Sequence, residues 1–134
     1  MAALKADRNT PMRDGELFGF KVKAAAKIHA GSIVVSDAGY AKPGAKAEGL
    51  VYLGRAEEFV DNTGGADGDV SVMVRRGRAF KWANAGGNNA AAQADVGKPA
   101  YIFDDQTVTD VDTGASKMGG AIILAVDSNG VWVG

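Results

Sequence analysis

Short apolar runs separated by Gly, Asn and Asp recur along this chain, and helical periodicity is almost absent. This pattern is typical of β-strands joined by tight turns. We predict strands near Leu17–Val22, Ser32–Ser36, Leu50–Val60, Val70–Val74, Arg78–Trp82, Ala100–Phe103, Thr107–Thr109, Ala121–Val126 and Val131–Val133. The fold class is therefore all-β, a compact antiparallel barrel or sandwich of about eight or nine short strands.

Three stretches share one arrangement, in which an apolar run, an aspartate, a tight turn and a second short strand follow one another. They are "SIVVSDAGYAK", "AYIFDDQTVTD" and "ILAVDSNGVWV". Asp bonds to nearby backbone and Gly adopts positive φ without cost, so each stretch predicts a hairpin. Asp104 and Asp105 are then turn residues, with a catalytic carboxylate pair as the alternative.

Three apolar runs, Ile33–Val35, Ala100–Phe103 and Ala121–Val126, do not alternate cleanly between apolar and polar positions. Strands that are buried on both faces show such continuous apolar runs. In a short chain it indicates either a tight barrel or a face that is covered by another subunit. Gly77, between two of the predicted strands, marks a bend or bulge.

Two segments fall outside the strand pattern. Residues 1–16, "MAALKADRNTPMRDGE", lack periodicity and contain Pro11, which predicts an extended arm ahead of a single β domain over residues 17–134. The stretch "NNAAAQA" predicts one short helical segment, capped by Asn88 or Asn89.

Composition narrows the function classes. The net charge of −1 disfavours a general nucleic-acid binder, and the chain has no cysteine for disulfide or thiol chemistry. No apolar run is long enough to span a bilayer, and the N-terminus lacks the apolar core of a signal peptide. We therefore expect a soluble product of the cytoplasm with no membrane partner.

Charge is nevertheless uneven along the chain. Residues 1–27 hold six basic and three acidic groups, whereas residues 82–134 hold two lysines and six aspartates. A positive N-terminal part and a negative C-terminal part favour head-to-tail contacts or docking on a surface of the opposite pattern. Ordinary scatter of surface charge remains the alternative.

Two acidic stretches resemble known sites. "DTGAS", Asp112–Ser116, matches the active-site loop of aspartic proteases, but only 22 residues follow Asp112, too few for the flap and supporting strands. "DNTGGADGD", Asp61–Asp69, is rich in calcium-type ligands but misses the EF-hand pattern, which favours a hairpin loop and leaves calcium binding open.

The remaining chemistry is sparse. "RRGRAFKW", Arg75–Trp82, interleaves basic and aromatic residues, which suits a half-exposed strand, single-stranded nucleic acid or an acidic neighbouring chain. We favour the strand. His29 is the only histidine, so no zinc site or catalytic triad can be assembled around it. We expect no catalytic residue, no metal and no cofactor.

The layout resembles the small capsid-decoration, or cement, proteins of tailed bacteriophages. The stretches that carry the resemblance are "GDVSVMVRRGRAFKW", then "ADVGKPAYIFDDQTVTD", then "MGGAIILAVDSNGVWV". They cover most of residues 17–134 and match in the order of strands and turns rather than in any catalytic signature. The charged arm and the "NTGGADGD" loop depart from this pattern and are not diagnostic features of that family.

The resemblance implies a structural protein that is made in the bacterial cytoplasm and binds the outer surface of a phage head. Its partners would be the major capsid protein and further copies of itself, as a homotrimer or, alternatively, a dimer. Asp112 would then lie in a variable loop and do no chemistry.

Interface preferences for aromatic, Met and Arg side chains select the expected capsid contacts. These are Leu4, Arg8, Met12 and Arg13 in the arm, with Phe18 and Phe20 anchoring its root. Two other functions remain: another virion β-module of a tail or baseplate, and an aspartic protease using Asp112-Thr113-Gly114.

Overall fold

The computed structural model describes residues 2–134, so that only Met1 of the predicted arm lies outside the described residues. These described residues form twelve strands: β1 Leu17–Lys21, β2 Lys27–Ile28, β3 Ile33–Asp37, β4 Tyr40–Pro43, β5 Val51–Ala56, β6 Val60–Asp61, β7 Ser71–Arg75, β8 Phe80–Asn84, β9 Pro99–Ile102, β10 Thr107–Thr109, β11 Lys117–Asp127 and β12 Gly130–Val133. The predicted all-β class is confirmed.

The strands form two large assemblies. A five-stranded antiparallel sheet has the order β1-β7-β5-β3-β4, and a closed barrel has the order β10-β8-β12-β11-β9. Strands β2 and β6 form a separate two-stranded sheet. The five-stranded sheet curls far enough that Val22, just after β1, bridges Ala41 in β4. Such curling shields strand edges that would otherwise remain unpaired.

All three predicted hairpins are present, as the antiparallel pairs β3–β4, β9–β10 and β11–β12. Their aspartates and serines bond to the backbone, as turn residues should. Asp104 accepts a hydrogen bond from the Gln106 N–H at 2.9 Å, and Asp127 accepts one from the Asn129 N–H at 2.7 Å. In the first turn the positive φ falls on Ala38 and Gly39, at 51° and 93°.

Strand β3 lies between two hydrophobic cores and is buried on both faces. Ile33 and Val35 point into the barrel core with Phe80, Trp82 and Ile102. Val34 points the other way, into a second core formed by buried residues of the sheet and of β2 and β6: Val22, Ile28, Ala41, Ala56, Val60, Val72 and Val74. The unbroken apolar run of β3 is thus explained within one chain.

Strand β11 does not behave like β3, although its sequence is also continuously apolar. Ile123 is fully buried in the barrel, but Ile122 and Leu124 on the outer face are exposed to 37% and 45%. Only the inner face of β11 therefore packs within this chain. β9 alternates as well, with Ala100 and Ile102 buried.

Three details differ from the sequence-based expectations. Twelve strands replace eight or nine, because β2 and β6 are too short to carry a pattern and the predicted Leu50–Val60 strand divides into β5 and β6. β4, the second strand of the first predicted hairpin, is the remaining addition. The β8–β10 pair is parallel, since the long connection through β9 returns the chain in the same direction. The helical segment consists of two three-residue 3-10 turns, Gly87–Asn89 and Gln93–Asp95.

The expected caps of that helical segment are wrong. Asn88 and Asn89 lie inside the first turn, and the capping positions are Gly86 and Ala92. The Asn84 side chain, rather than a cap, holds this loop against the barrel: its amide donates to the Ala91 carbonyl at 2.9 Å and its oxygen accepts from the Ala91 N–H at 2.8 Å.

Candidate functional site

The N-terminal segment contains no helix or strand from residue 2 to residue 16, and its side chains are exposed up to Gly15. Leu4 and Met12 are exposed to 73% and 97%. Arg8 donates a hydrogen bond to Thr10 at 2.8 Å, a contact within the segment itself. The segment therefore presents two large apolar side chains to solvent.

The root of this arm is fixed to the β body by aromatic and ionic contacts. The Arg13 guanidinium lies 3.8 Å above the ring of Phe18, whose ring centre is 5.6 Å from that of Phe20. Phe18 and Phe20 lie half-buried on one face of β1. One residue before β1, Glu16 binds Arg78 at 2.7 Å. Of the six expected contact residues, the structure thus brings together Arg13, Phe18 and Phe20, while Leu4, Arg8 and Met12 extend beyond them.

A second surface combines cations with aromatic rings at the end of the barrel where β8 begins. A depression of about 510 Å³ lies here. It is lined by four cations, two aromatic residues and an alanine: Arg55, Arg75, Arg78, Lys81, Phe80, Trp132 and Ala79. We call these six residues the basic-aromatic surface: Arg55, Arg75, Arg78, Phe80, Lys81 and Trp132. A neighbouring cavity of about 260 Å³ shares Arg55, Phe80 and Lys81 with it.

Three carboxylates on the rim form salt bridges with the four cations of this surface. Glu57 accepts from Arg55 at 2.6 Å and from Arg75 at 3.2 Å, Glu16 binds Arg78, and Asp127 binds Lys81 at 3.0 Å. The hydrogen bond from Arg55 holds the pKa of Glu57 below its usual range, and the one from Lys81 does the same for Asp127. Glu57 and Asp127 therefore stay ionised and paired with these cations at neutral pH, and the four cations exceed the three carboxylates by one charge.

The aromatic rings of this surface are close to its charges. The Arg55 guanidinium lies 4.7 Å from the centre of the Phe80 ring, and the Lys81 ammonium lies 6.0 Å from the centre of the Trp132 ring, which is 39% exposed. Trp82 also lines the smaller cavity, and its buried indole N–H has no acceptor among the described residues.

Sequence reasoning named "RRGRAFKW" but missed this convergence. Gly77 makes the predicted bend, with φ of 70°, and turns the chain so that residues on both sides of it meet. Arg55 and Trp132 come from β5 and β12, far away in sequence. The basic and aromatic alternation was the available signal, and it pointed to the right segment without its partners.

The aspartic protease motif lies in a surface turn. Asp112 is exposed, and its backbone carbonyl accepts from the Ala115 N–H at 3.2 Å to close the turn. Ser116 is buried and structural, because its hydroxyl donates to the Ala47 carbonyl at 2.6 Å and accepts from the Leu50 N–H at 3.0 Å. The motif thus joins β10 to β11 and ties that loop to the segment before β5.

The polar side chains of the acidic Asp61–Asp69 loop bond to backbone groups of the loop itself and of the segment that follows β1. Asp67 accepts from the Ala24 N–H at 2.8 Å, and Asp69 accepts from the Ala66 N–H at 2.9 Å. The buried Asn62 donates to the carbonyls of Val22, Lys23 and Ala66. Within residues 2–134, no group of three or more His, Cys, Asp or Glu residues is placed to hold a metal ion.

The single histidine makes an aromatic contact. The ring centre of His29 lies 5.2 Å from that of Phe59, which is 53% exposed. Among residues 2–134, no helix has the length and apolar character to cross a membrane.

Comparison with known proteins gives no relative for this chain. No protein-family model matches it, and neither a curated protein nor a solved structure does so.

Proposed function

We propose that the chain is a structural virion protein that binds the outer surface of a phage head and cements neighbouring major capsid subunits. The observation that carries the proposal is the exposed N-terminal arm, which extends from the β body with Leu4 and Met12 uncovered. The order of strands and turns over most of residues 17–134, which resembles that of decoration proteins, supports the same function.

An exposed arm of this kind requires a partner to become ordered. Residues 2–14 have no regular structure, so ordering them on a partner costs conformational entropy. Burial of Leu4 and Met12 against a capsid subunit would oppose this cost, because it removes two large apolar side chains from water. Arg8 and Arg13 add charge pairing with acidic capsid groups, which raised salt would weaken.

The root contacts determine where the arm begins. Because Arg13 stacks on Phe18 and Glu16 pairs with Arg78, the chain leaves the body beside β1. In the proposal, Phe18 and Phe20 stabilise this exit point and also contact the capsid. Residues from Leu4 to Met12 then reach a neighbouring capsid subunit.

Stabilisation of the head follows from linkage. A protein that binds only the assembled, mature lattice shifts the equilibrium toward that lattice. When one arm of an oligomer has bound, the other arms are held at a high effective concentration near their sites, so the oligomer binds tightly even if each single contact is weak. The proposed oligomer is a homotrimer, with a dimer as the alternative. No enzymatic activity, cofactor, nucleic acid or membrane enters the proposal.

The test is co-sedimentation with undecorated phage heads at two salt concentrations. We expect a variant lacking residues 2–14 to keep the circular dichroism spectrum of the full chain and to lose most head binding. Heads carrying this variant should release DNA at a lower temperature than fully decorated heads. The double variant Leu4→Ser, Met12→Ser should weaken binding by roughly tenfold or more, since each buried apolar side chain contributes more than 1 kcal/mol.

Matched controls come from exposed apolar residues of the β body. Val51 and Phe59 are exposed to 60% and 53%, so Val51→Ser and Phe59→Ser remove similar surface without touching the arm. Both should bind heads like the unchanged protein. Equal binding by the truncated and full-length proteins would assign the contacts to the β body and refute the arm residues.

A further inference from the structure

Of the basic-aromatic surface, only Arg78 takes part in the root of the arm, through its pair with Glu16, and the other five residues have no role in the arm-mediated contact. The four cations of the surface share three carboxylates, all of them on the rim, so the depression at its centre is lined by cationic and aromatic residues and by Ala79, with no acidic residue. Arg78 is its most exposed cation, at 54% of the side chain. Such a surface suits an incoming acidic segment.

The chemistry of the surface selects carboxylates. Guanidinium groups bind carboxylates with two parallel hydrogen bonds, and three of the four cations here are arginines. The exposed face of Trp132 offers an apolar contact beside them, as aromatic residues do at protein interfaces. The unmatched indole N–H of Trp82 adds a hydrogen-bond donor near the smaller cavity.

The chain itself carries an acidic segment of matching character at the opposite end of the barrel. The β10–β11 loop contains Asp110 and Asp112, and neither forms a salt bridge among the described residues. β10 runs parallel to β8, with Val108 opposite Asn84, so the β10–β11 loop begins beside the C-terminal end of β8. The depression lies at the N-terminal end of β8, near Phe80. Four to six strand residues, or about 13–20 Å, therefore separate the loop from the depression. The loop therefore cannot fill the depression of its own chain.

We propose that the basic-aromatic surface of one copy binds the β10–β11 loop of a second copy through Asp112. This contact rests on the self-association in the proposed function and specifies its surfaces. The two patches differ, so the contact is heterologous, and in the proposed homotrimer its repetition by a three-fold rotation closes a ring. In a ring all arms leave on the same side, which is the arrangement that simultaneous binding to a capsid requires.

Cysteine cross-linking tests the contact directly, because the chain has no cysteine of its own. Ala79→Cys places a thiol in the depression without removing a cation, and Thr113→Cys places one beside Asp112. The two variants are mixed, one of them carrying a mass tag, and are oxidised in solution and on heads. We expect a tagged-to-untagged disulfide. Gly64→Cys replaces Thr113→Cys as the control, because a side chain at Gly64 meets no atom within 4 Å.

Charge reversal provides a second test of the contact. Lys81→Glu and Asp112→Arg should each weaken self-association, measured by light scattering and by sedimentation at several concentrations, by roughly tenfold or more, since like charges then face one another. The double variant should recover it. Both residues are exposed, so an unchanged circular dichroism spectrum is expected for each. Arg78 is left unchanged because its pair with Glu16 fixes the root of the arm.

The outcomes separate this contact from the proposed function. Absence of the mixed disulfide in solution and on heads, or no recovery in the double variant, overturns the contact even if head binding persists. Loss of head binding in the arm variants alone, with the disulfide retained, leaves the contact standing. If Lys81→Glu abolishes binding of a labelled single-stranded oligonucleotide or of heads while self-association is unchanged, the contact is also overturned and the surface is assigned to that other partner.

Discussion

At the scale of single residues, the polar side chains that suggested chemistry mostly bond to the backbone. Ser116 of the protease-like motif bonds to Ala47 and Leu50, and Asn62 of the calcium-like loop bonds to three carbonyls. A buried backbone group left without a partner costs about 1–3 kcal/mol. The residue types of these motifs are therefore accounted for by the turns that they close.

Asp110 is an exception, because its surroundings disfavour its charge. Burial and then the neighbouring Asp95 carboxylate raise the pKa of Asp110, with Lys98 opposing them, and its Oδ1 has no hydrogen-bond partner in the described part of the chain. A raised pKa contributes stability that is present below the unfolded value and is lost as pH rises through the folded value. Neutral pH therefore lies in the range where Asp110 destabilises the fold.

We predict that Asp110→Asn raises the free energy of unfolding at pH 7 and that the gain disappears in acid, below the unfolded pKa of about 4. Urea unfolding of both proteins across this pH range measures the difference. Asp7→Asn, at an exposed position in the arm and outside the proposed contact between copies, is the control and should leave the free energy of unfolding unchanged at every pH. A gain that persists at low pH would show that Asp110 acts through something other than its charge.

At the scale of elements, the basic-aromatic surface depends on how β5 and β7 cross. The two strands pair only at Arg55 with Arg75 and at Ala56 with Val74. At Gly54 the backbone has φ of 149°, and an added Cβ would collide with the Arg75 carbonyl oxygen. This close approach places Arg55 and Arg75 side by side, where Glu57 binds both.

We predict that Gly54→Ala separates these strands and lowers the free energy of unfolding by roughly 2 kcal/mol or more, because neither the φ nor the space suits a side chain. Thermal and urea unfolding measure the loss. Gly64→Ala is the matched control, since its added Cβ meets open space. Equal stability of the two variants would mean that β5 and β7 are free to move apart at this crossing.

At the scale of the whole molecule, one strand joins the two cores. β3 supplies Ile33 and Val35 to the barrel and Val34 to the curled sheet. Loss of either core exposes one face of β3, so the two assemblies should unfold together. Both tryptophans, Trp82 and Trp132, belong to barrel strands and report on the barrel alone.

We predict that Val34→Ala, in the core without tryptophan, lowers stability by about 2 kcal/mol through lost burial and the cavity that remains. Tryptophan fluorescence and far-ultraviolet circular dichroism should then show the same shifted transition. Val35→Ala, in the barrel core, should also shift the fluorescence and circular dichroism transitions together. A fluorescence transition left unchanged by Val34→Ala would show that the barrel unfolds independently.

The sequence by itself determined the all-β class, the three hairpins and the bend at Gly77, because these depend on local periodicity and turn chemistry. It also indicated burial of β3 on both faces, since apolar residues occupy both sides of that strand. Tertiary structure alone decided which apolar runs are covered. The β3 run is enclosed between two cores, whereas the similar run of β11 leaves Ile122 and Leu124 exposed. Tertiary structure also brought Arg55 and Trp132 to the "RRGRAFKW" segment, because strand order joins residues whose separation along the chain carries no local signal.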